Sequence, residues 1–452
     1  MAWNALWTIL GVMLVFLALG VPISYSIGIS SLAAILATVS ADAAVVTAAQ
    51  RIFVGMSRFS LTAIPFFILA GNLMNQGGIA GRLVDLVLAV LGRLPGSLLV
   101  ANVGANALFG AISGSASAAA AAVGSMVRDG EEEQGYDPAL CAASNGASAP
   151  SGLLIPPSNA LITYSLAAGG VSVSALFLAG YVPGILWAAC CIAVAVAAAG
   201  RKGYRGAAGK YDWKNLGRAA LRAIPSLTLI VVVIGGIIAG IFTATEGAAI
   251  AVLYALVLGI CYGNITVRSF WRIVTDSARM SGMVVFLIGV SNILGWVMAF
   301  TQIPQAVSAA LLGFTSSPAA LLLIMNAVLL LAGTFMDVTP AILIFTPLFL
   351  PVVEAFGMHP VQFGLILVYN LCIGNITPPV GNTLFVAIKV GKTSLSEVMP
   401  YMLWYYGAIL SGLLLVTFCA GCLPGPALAD RRIKIEEKRR GEPAARYKNV
   451  RK

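Results

Sequence analysis

Long apolar runs separated by short polar or glycine-rich breaks dominate the pattern of residues along this chain. A helix needs roughly 20 apolar residues to cross the ~30 Å hydrocarbon core of a membrane. On this criterion the pattern predicts about ten membrane-spanning helices. They lie near residues 5–20, 22–40, 60–76, 138–167, 174–199, 223–242, 243–262, 279–300, 360–388 and 396–421.

Two further segments are long enough to enter a membrane but are polar at their centres. Residues 96–130 contain Ser113-Gly-Ser-Ala-Ser117, and residues 318–356 contain Gly333-Thr-Phe-Met-Asp-Val-Thr339. Such centres cannot face lipid, because an unpaired backbone group there costs several kcal/mol. We therefore predict two re-entrant helical hairpins whose tips meet inside the protein. Interfacial or arm helices are predicted for the shorter, more polar segments 41–58, 78–93, 265–277 and 302–313.

The composition fits a membrane protein and changes how the net charge is interpreted. Hydrophobic residues make up 59% of the 452 positions and charged residues only 10%, whereas soluble domains carry roughly 25% charged residues. The net charge of +10 comes largely from two basic stretches, at 201–222 and after Leu428. We interpret these stretches as signals for topology and lipid-headgroup contact, and we predict no nucleic-acid partner.

The second half of the chain repeats the spacing of glycine, proline and serine residues found in the first half, at a constant offset of 222 residues. The matched positions are Gly135, Pro138, Gly152, Pro156, Pro157, Gly169, Ser172 and Ser174 with Gly357, Pro360, Gly374, Pro378, Pro379, Gly391, Ser394 and Ser396. An odd number of predicted spans separates the copies, so we expect the second to be inverted in the membrane. We assign 1–222 to the first inverted repeat, 223–422 to the second and 423–452 to a basic, disordered tail. Inverted repeats with broken helices and hairpins are typical of secondary transporters.

Each copy has a membrane segment interrupted by a glycine followed by two prolines, at 152–157 and at 374–379. Proline lacks a backbone donor and clashes with the preceding turn, so each helix should unwind there and leave carbonyl oxygens unpaired. The hairpin tips supply further oxygens, from Ser113, Ser115 and Ser117 in the first copy and Gly333, Thr334 and Thr339 in the second. Such oxygens, without a full set of carboxylates, suit a hard monovalent cation, and we predict one sodium site per repeat.

The half-helix N-termini at the breaks direct positive dipole ends toward the membrane midplane, which favours an anionic substrate. Polar side chains beside the breaks are candidates to hydrogen-bond a carboxylate, namely Asn145, Ser148, Asn159, Asn375 and Asn382. For any one of the asparagines, hydrogen bonding between helices is an equally good explanation. Asp337 is the only acidic residue at a hairpin tip, and an ionisable residue at this depth is a further candidate.

The motifs of several enzyme classes are incomplete in this chain. Gly391-Lys-Thr393 ends like a phosphate-binding loop, but Val386 occupies the position of the required first glycine. The chain has no GxSxG, and its single histidine, His359, begins a predicted span. We therefore predict that the chain is not an enzyme and has no cofactor other than coupling ions. A membrane enzyme acting on lipid-linked substrates is the rival hypothesis from another functional class.

Several long motifs occur in the order found in one transporter family. They are SGSAS at 113–117, SNGASAPSGLLIPPSNALITYS from Ser144, TATEG at 243–247, GTFMD at 333–337 and GNITPPVGNTLF at 374–385. From about residue 5 to 422, the chain resembles the large permease (DctM-like) subunit of tripartite ATP-independent periplasmic (TRAP) transporters. The resemblance implies an elevator-type, sodium-coupled importer in the bacterial inner membrane. It also implies a small four-helix membrane subunit and a periplasmic binding protein that delivers an organic acid, such as a dicarboxylate or a sugar acid.

By motif, the resemblance further implies two sodium sites. The first comprises Ser113, Ser115 and Ser117 with carbonyl oxygens at Gly152, Ile155 and Pro156, and the second comprises Gly333, Gly374, Thr377 and Val380. Each sodium ion entering down a 100 mV potential supplies roughly 2.3 kcal/mol. A stand-alone sodium and carboxylate symporter is the nearest alternative, since it needs neither partner. The side of the basic tail stays open, because the repeat and the positive-inside rule place it on opposite sides.

Overall fold

A computed structural model describes residues 1–91, 96–204, 213–314 and 317–418, and every regular element in these ranges is helical, as the sequence predicts. The first half contains α1 (Ala2–Ala18), α2 (Ile23–Leu36), α3 (Ala41–Met56), α4 (Ala63–Gln76), α5 (Ile79–Leu91), α6 (Ser97–Ser113), α7 (Ala116–Glu133), α8 (Pro138–Ser148), α9 (Ser151–Leu154), α10 (Asn159–Ala167) and α11 (Val173–Lys202). The second half contains α12 (Trp213–Ile238), α13 (Ala244–Cys261), α14 (Val267–Phe300), α15 (Ile303–Phe314), α16 (Pro318–Gly333), α17 (Val338–Ala355), α18 (Pro360–Gly374), α19 (Asn382–Gly391) and α20 (Leu395–Phe418). The prediction of a disordered tail at 423–452 lies outside the described residues.

Helix length bears on the predicted number of membrane spans. Within the described ranges, six helices are long and apolar enough to cross a membrane, or seven if the bent pair α3–α4 forms one span. Helices α1, α2, α16, α18 and α19 are apolar but only 10 to 17 residues long. The chain is therefore a multi-pass membrane protein, while the predicted count of about ten spans stays a prediction.

The structure corrects one predicted boundary in the second half. We expected an arm helix at 265–277 followed by a separate span at 279–300, but α14 runs without interruption from Val267 to Phe300. The equivalent region of the first half is bent by 58° between α3 and α4, where a short 3-10 turn, Phe59–Thr62, intervenes. Pro65 follows this turn and favours a helix start there, whereas α14 contains no proline to interrupt its hydrogen-bond ladder.

Several positions matched by the offset of 222 have the same local structure. Pro138 and Pro360 are the first residues of α8 and α18, where a missing N–H leaves no helical bond unmade. One pair differs: Gly169 follows α10 with a φ of 81°, whereas Gly391 is the last helical residue of α19 and Lys392 takes the left-handed φ of 51°. The two halves thus share helix starts and breaks, but not every helix end.

The hairpins and broken helices pack together beside an outer frame of helices. Helix α4 packs on α13, and α14 packs along α2, α3 and α4. The hairpins α6–α7 and α16–α17 contact the broken helices α8–α10 and α18–α19, with α11 and α20 alongside. Fully buried Trp187 donates to the carbonyl of Ala147 at 2.8 Å, and fully buried Tyr369 donates to the carbonyl of Ile409 at 3.2 Å. Large aromatic rings with satisfied polar atoms therefore fix the core that holds both breaks.

Candidate functional site

Each hairpin lies against a helix break at a contact between two glycines. A Cβ atom added to Gly152 would lie 2.2 Å from the Cα of Gly110, near the end of α6. A Cβ atom added to Gly374 would lie 2.4 Å from the carbonyl carbon of Gly333, the last residue of α16. Only glycine allows two backbones to approach this closely. The structure thus brings each predicted hairpin to its own predicted break.

The prolines determine which carbonyl oxygens at the breaks lack a helical donor. Pro156 and Pro378 have no N–H to offer the carbonyls of Gly152 and Gly374, four residues earlier. The Gly374 carbonyl instead accepts from the N–H of Thr377 at 2.9 Å. Among the described residues, no donor is bonded to the carbonyl oxygen of Gly152. The predicted ligands Ile155, Pro156, Gly333 and Val380 likewise have carbonyl oxygens that no described donor reaches.

The serines of the first hairpin tip have separate tasks. The Ser115 hydroxyl caps α7 by accepting from the N–H of Ala118 at 3.3 Å, and the Ser113 hydroxyl donates to the Ser115 carbonyl at 3.3 Å. Ser117 points to the other half of the molecule, since its hydroxyl lies 3.4 Å from that of Thr383 in α19. Ser113 and Ser115 thus lie at the tip, whereas Ser117 connects the first hairpin to the second broken helix. Their predicted role in sodium binding stays a prediction.

The second hairpin tip bonds directly to its break. The N–H of Val380 donates to the carbonyl of Thr334 at 3.2 Å, and the Thr377 hydroxyl donates to the carbonyl of Ile373 at 2.7 Å. The Thr377 hydroxyl keeps free lone pairs in this arrangement. The residues predicted for the second sodium site, Gly333, Gly374, Thr377 and Val380, therefore come together at one tip, and their role as ligands stays a prediction.

Two of the predicted substrate residues are hydrogen-bonded to other groups of the protein. The Asn145 amide donates to the carbonyl of Ala120 at 2.8 Å, and its oxygen accepts from Asn106 at 2.9 Å. The hydroxyl of Ser148 also lies within hydrogen-bond distance of the Asn106 amide nitrogen, at 2.9 Å. These contacts match the alternative explanation, hydrogen bonding between helices. Contact of Asn145 or Ser148 with substrate has no support in this arrangement and stays an untested prediction.

The remaining predicted substrate residues lie at the tips and breaks. Asn159 packs against the first tip, because a Cβ atom on Gly114 would lie 2.4 Å from its amide nitrogen. Asn375 is 5% exposed, and no described residue is bonded to its side-chain oxygen. Asn382 and Asp337 are exposed at the second break and the second tip. A buried amide oxygen without a partner is costly unless a ligand or ordered water satisfies it, so Asn375 has the strongest structural case.

Sequence reasoning missed a set of buried asparagines beneath the glycine contacts. The Asn106 amide nitrogen also reaches Asn102 at 2.7 Å, and the Asn370 amide donates to the side-chain oxygen of Asn326 at 2.8 Å. Asn326 in turn donates to Thr417 of α20 at 3.2 Å. A signal was present, since Asn326 interrupts the run LLLIMNAVLLL, and a polar residue inside an apolar helix requires a partner.

The caps of α8 and α18 differ in charge. Asp137 accepts from the N–H of Ala139 at 2.9 Å, and His359 Nδ1 accepts from the N–H of Val361 at 3.2 Å. Partial burial of Asp137 opposes ionisation, but hydrogen bonds from Tyr401 and Lys202 outweigh it and hold the pKa of this carboxyl below its usual value. Asp137 therefore ties α8 to α11 and α20 in its ionised form.

The comparison with known protein families decides the class of the molecule. Residues 10–422 match the family described as "Tripartite ATP-independent periplasmic transporter, DctM component". The chain belongs to the TRAP large permease family. Membership of this family makes it a transporter subunit rather than an enzyme, so the resemblance drawn from the motifs is confirmed.

Individual relatives extend this result. The chain is 50% identical to "Uncharacterized protein YgiK" of Salmonella typhimurium, over 86% of this chain and 89% of the relative. It is 36% identical to the C4-dicarboxylate TRAP transporter large permease protein DctM of Rhodobacter capsulatus, over 91% of this chain and 96% of the relative. Among solved structures, the YdaH transporter of Alcanivorax borkumensis is similar with a TM-score of 0.54 and 16% identity, covering 80% of this chain and 86% of YdaH. The last similarity shows that this TRAP permease shares the overall fold of YdaH.

Proposed function

We propose that this chain is the large membrane subunit of a sodium-coupled importer for a small organic acid in the bacterial inner membrane. The observation that carries the proposal is the paired construction of the site. Each hairpin tip packs glycine to glycine on a helix break, and carbonyl oxygens at each break have no donor among the described residues. Carbonyl and hydroxyl oxygens without a cluster of carboxylates are ligands for a hard monovalent cation.

One sodium ion is assigned to each tip. The first ion is held by Ser113 and Ser115 with carbonyls at Gly152, Ile155 and Pro156, and Ser117 joins this tip to α19. The second ion is held by Gly333, Gly374, Thr377 and Val380. Oxygens that are already fixed by the glycine contacts lose little freedom when the ion binds, which favours binding. Two ions entering together couple the electrical gradient to uptake of an anion.

The substrate is assigned to the space between the two tips. Asn159, Asn375, Asn382 and Asp337 are the candidate contacts, and the unpartnered oxygen of Asn375 supports its inclusion. A relative of 36% identity is named for C4-dicarboxylates, which supports an organic acid as cargo. In this proposal the hairpins and broken helices of the two inverted repeats move together as an elevator past the frame formed by α4, α13 and α14.

Two partners complete the proposed system, a small four-helix membrane subunit and a periplasmic binding protein. The family description, which names a tripartite periplasmic transporter, supports both. The alternative is a stand-alone sodium and carboxylate symporter, which functions without them.

Uptake of labelled organic acids into proteoliposomes tests the proposal. The permease is reconstituted with and without its small subunit, the binding protein and an inward sodium gradient. Uptake that requires the gradient and both partners is expected. Uptake with sodium alone identifies the stand-alone symporter instead, and uptake that ignores sodium overturns the coupling mechanism.

A further inference from the structure

A cavity of about 110 Å³ lies away from the hairpin tips, between α14 and the 3-10 turn on one side and α10 and α17 on the other. It is lined by Arg58, Ser291, Asn292 and Gly295 on the first side and by Leu166, Leu343 and Pro347 on the second. Leu343 and Pro347 lie about 9 Å and about 15 Å along α17 from Asp337 by the helical rise. The cavity is therefore separate from the site proposed above.

The wall formed by Arg58, the 3-10 turn and α14 carries the cationic and polar side chains of the cavity, beside the apolar Leu61 and Ile288. Among the described residues, the Arg58 guanidinium makes one hydrogen bond, a long one of 3.4 Å from Nη1 to the carbonyl of Leu166 in the last turn of α10. No acidic side chain among the described residues forms an ion pair with Arg58. A guanidinium carries five N–H donors in a planar fork that matches a carboxylate, so most of this donor capacity is available to a ligand.

A second observation on the same wall points to a ligand. Ser291 is 6% exposed, and its hydroxyl has no hydrogen-bond partner among the described residues. The Asn292 amide lies beside it and donates to the carbonyl of Ile288 at 3.1 Å. Buried hydroxyls are normally bonded. A ligand that accepts hydrogen bonds from both Arg58 and Ser291 would satisfy the Ser291 hydroxyl.

The wall formed by α17 indicates which class of ligand fits the cavity. Leu343 and Pro347 of α17 present apolar surface to the cavity. A lining with one guanidinium among mostly apolar side chains suits a molecule that has a carboxylate and a carbon skeleton, rather than an inorganic ion. The volume is sufficient for several water-sized groups, which is the size class of a small organic acid.

We propose that this cavity is an outer binding position for the carboxylate of an organic acid, held by Arg58 and Ser291, at the contact between the frame and the hairpin-bearing helices. The inference rests on the proposed function, since it adds a second position on the route of the same cargo. An anionic lipid headgroup offers similar chemistry to Arg58, so the experiment separates the two sources.

The test measures thermal unfolding of the complete membrane complex in phosphatidylcholine nanodiscs, with acetate or succinate added at constant sodium and ionic strength. Both carboxylates are expected to raise the unfolding temperature of the wild-type protein. Arg58→Gln and Gly295→Leu should reduce the shift to the part that the site between the tips contributes, the first by removing the donor and the second by filling the cavity. An alanine Cβ at Gly295 meets no atom of the described residues within 4 Å, so the backbone there tolerates a side chain.

Matched controls lie on α14 and on α3, the helix that precedes Arg58 in the chain. Gly282 of α14 also has no atom within 4 Å of an added Cβ but does not line the cavity, and Arg51 of α3 carries the same charge over Trp296. Gly282→Leu and Arg51→Gln should keep the carboxylate shift. A shift that is undiminished in Arg58→Gln, a loss that is equal in Arg51→Gln, or no shift in the wild type each overturns the proposal.

A second arm replaces phosphatidylcholine with phosphatidylglycerol and adds no carboxylate. Stabilisation by this lipid that depends on Arg58, without any effect of acetate or succinate, assigns the cavity to lipid and overturns the cargo site. Uptake assays on the same variants separate the two hypotheses. If uptake is driven by sodium but unchanged by Arg58→Gln, the outer site is rejected and the proposed function stands. If uptake is independent of sodium while the carboxylate shift is intact, sodium coupling is rejected and the outer site stands. For succinate as cargo, Arg58→Gln should raise KM about tenfold, the loss expected for a charged hydrogen bond.

Discussion

The two hairpin contacts have the same backbone geometry but different polar surroundings. The first contact, Gly110 with Gly152, is backed by Asn106, whose amide nitrogen reaches three other side chains within 2.9 Å. The second, Gly333 with Gly374, is backed by a simpler pair of asparagines and by a backbone bond from Val380 to the tip. The close approach of the backbones is therefore the common requirement, and the side chains that secure it differ between the halves.

The largest effects should come from the glycines. Gly152→Ala and Gly374→Ala each place a Cβ within 2.4 Å of backbone atoms, and overpacking of this kind costs about 1–3 kcal/mol or forces the helices apart. Uptake should fall below detection in both variants. Gly282→Ala, which meets no atom within 4 Å, should retain uptake and fold normally. Normal uptake in either break variant would show that the glycine contact is dispensable.

The next effect distinguishes the two halves. Asn106→Ala leaves the buried oxygens of Asn102 and Asn145 without their shared donor, which should destabilise the protein by about 1–3 kcal/mol. Asn326→Ala should cost only about 1 kcal/mol, because Asn370 keeps its bond to the backbone carbonyl of residue 326 at 3.0 Å. Thermal unfolding of both variants measures the difference. Equal losses would mean that the networks are equivalent despite their different connectivity.

A smaller effect concerns the proposed ions. Thr377→Ala should raise the sodium concentration for half-maximal uptake several-fold with little change in unfolding temperature, since Thr377 caps no helix. Ser115→Ala should raise it as well and also cost about 1 kcal/mol of stability, because Ser115 caps α7.

Ser172→Ala provides the control for Ser115. Ser172 caps α11 with the same geometry, accepting from Ala175 at 3.3 Å, but belongs to neither tip. It should lose similar stability without a change in sodium dependence. If all three variants shift the sodium curve equally, the tips have no special role in ion binding.

The smallest effect concerns the helix caps. Asp137→Asn keeps a capping side chain but removes a half-exposed ion pair, so the loss should be below about 1 kcal/mol. The folded-state pKa of Asp137 lies below its usual value. Its contribution is therefore fully present above about pH 5 and is lost as the pH falls below about 4. The difference in unfolding temperature between wild type and variant should be constant from pH 8 to 5. A difference that changes in that range would belong to another group.

Much of this fold could be predicted from the sequence, because a lipid bilayer restricts the structures that apolar segments can adopt. Broken helices at 152–157 and 374–379 and hairpins around Ser113 and Gly333 follow from prolines and polar centres within apolar runs, and the structure has all four. The predicted helix boundary at 277–279 was wrong. A change from polar to apolar residues does not end a helix unless a proline or a competing hydrogen bond interrupts it. The roles of Asn145 and Ser148 were not readable, because an asparagine beside a break has the same sequence signature whether it faces a ligand or a neighbouring helix.

The sequence by itself determined the helical class, the positions of both breaks, the matched spacing of glycines, prolines and serines in the two halves, and the transporter family. These are local consequences of proline, glycine and apolar periodicity, which act within a few residues. The tertiary structure alone decided which glycines meet, which asparagines hydrogen-bond to neighbouring helices, and that Arg58 and Ser291 line one cavity opposite Leu343 and Pro347. Those pairings join residues that lie far apart in the sequence, in some cases by more than two hundred positions. They therefore depend on how whole helices pack.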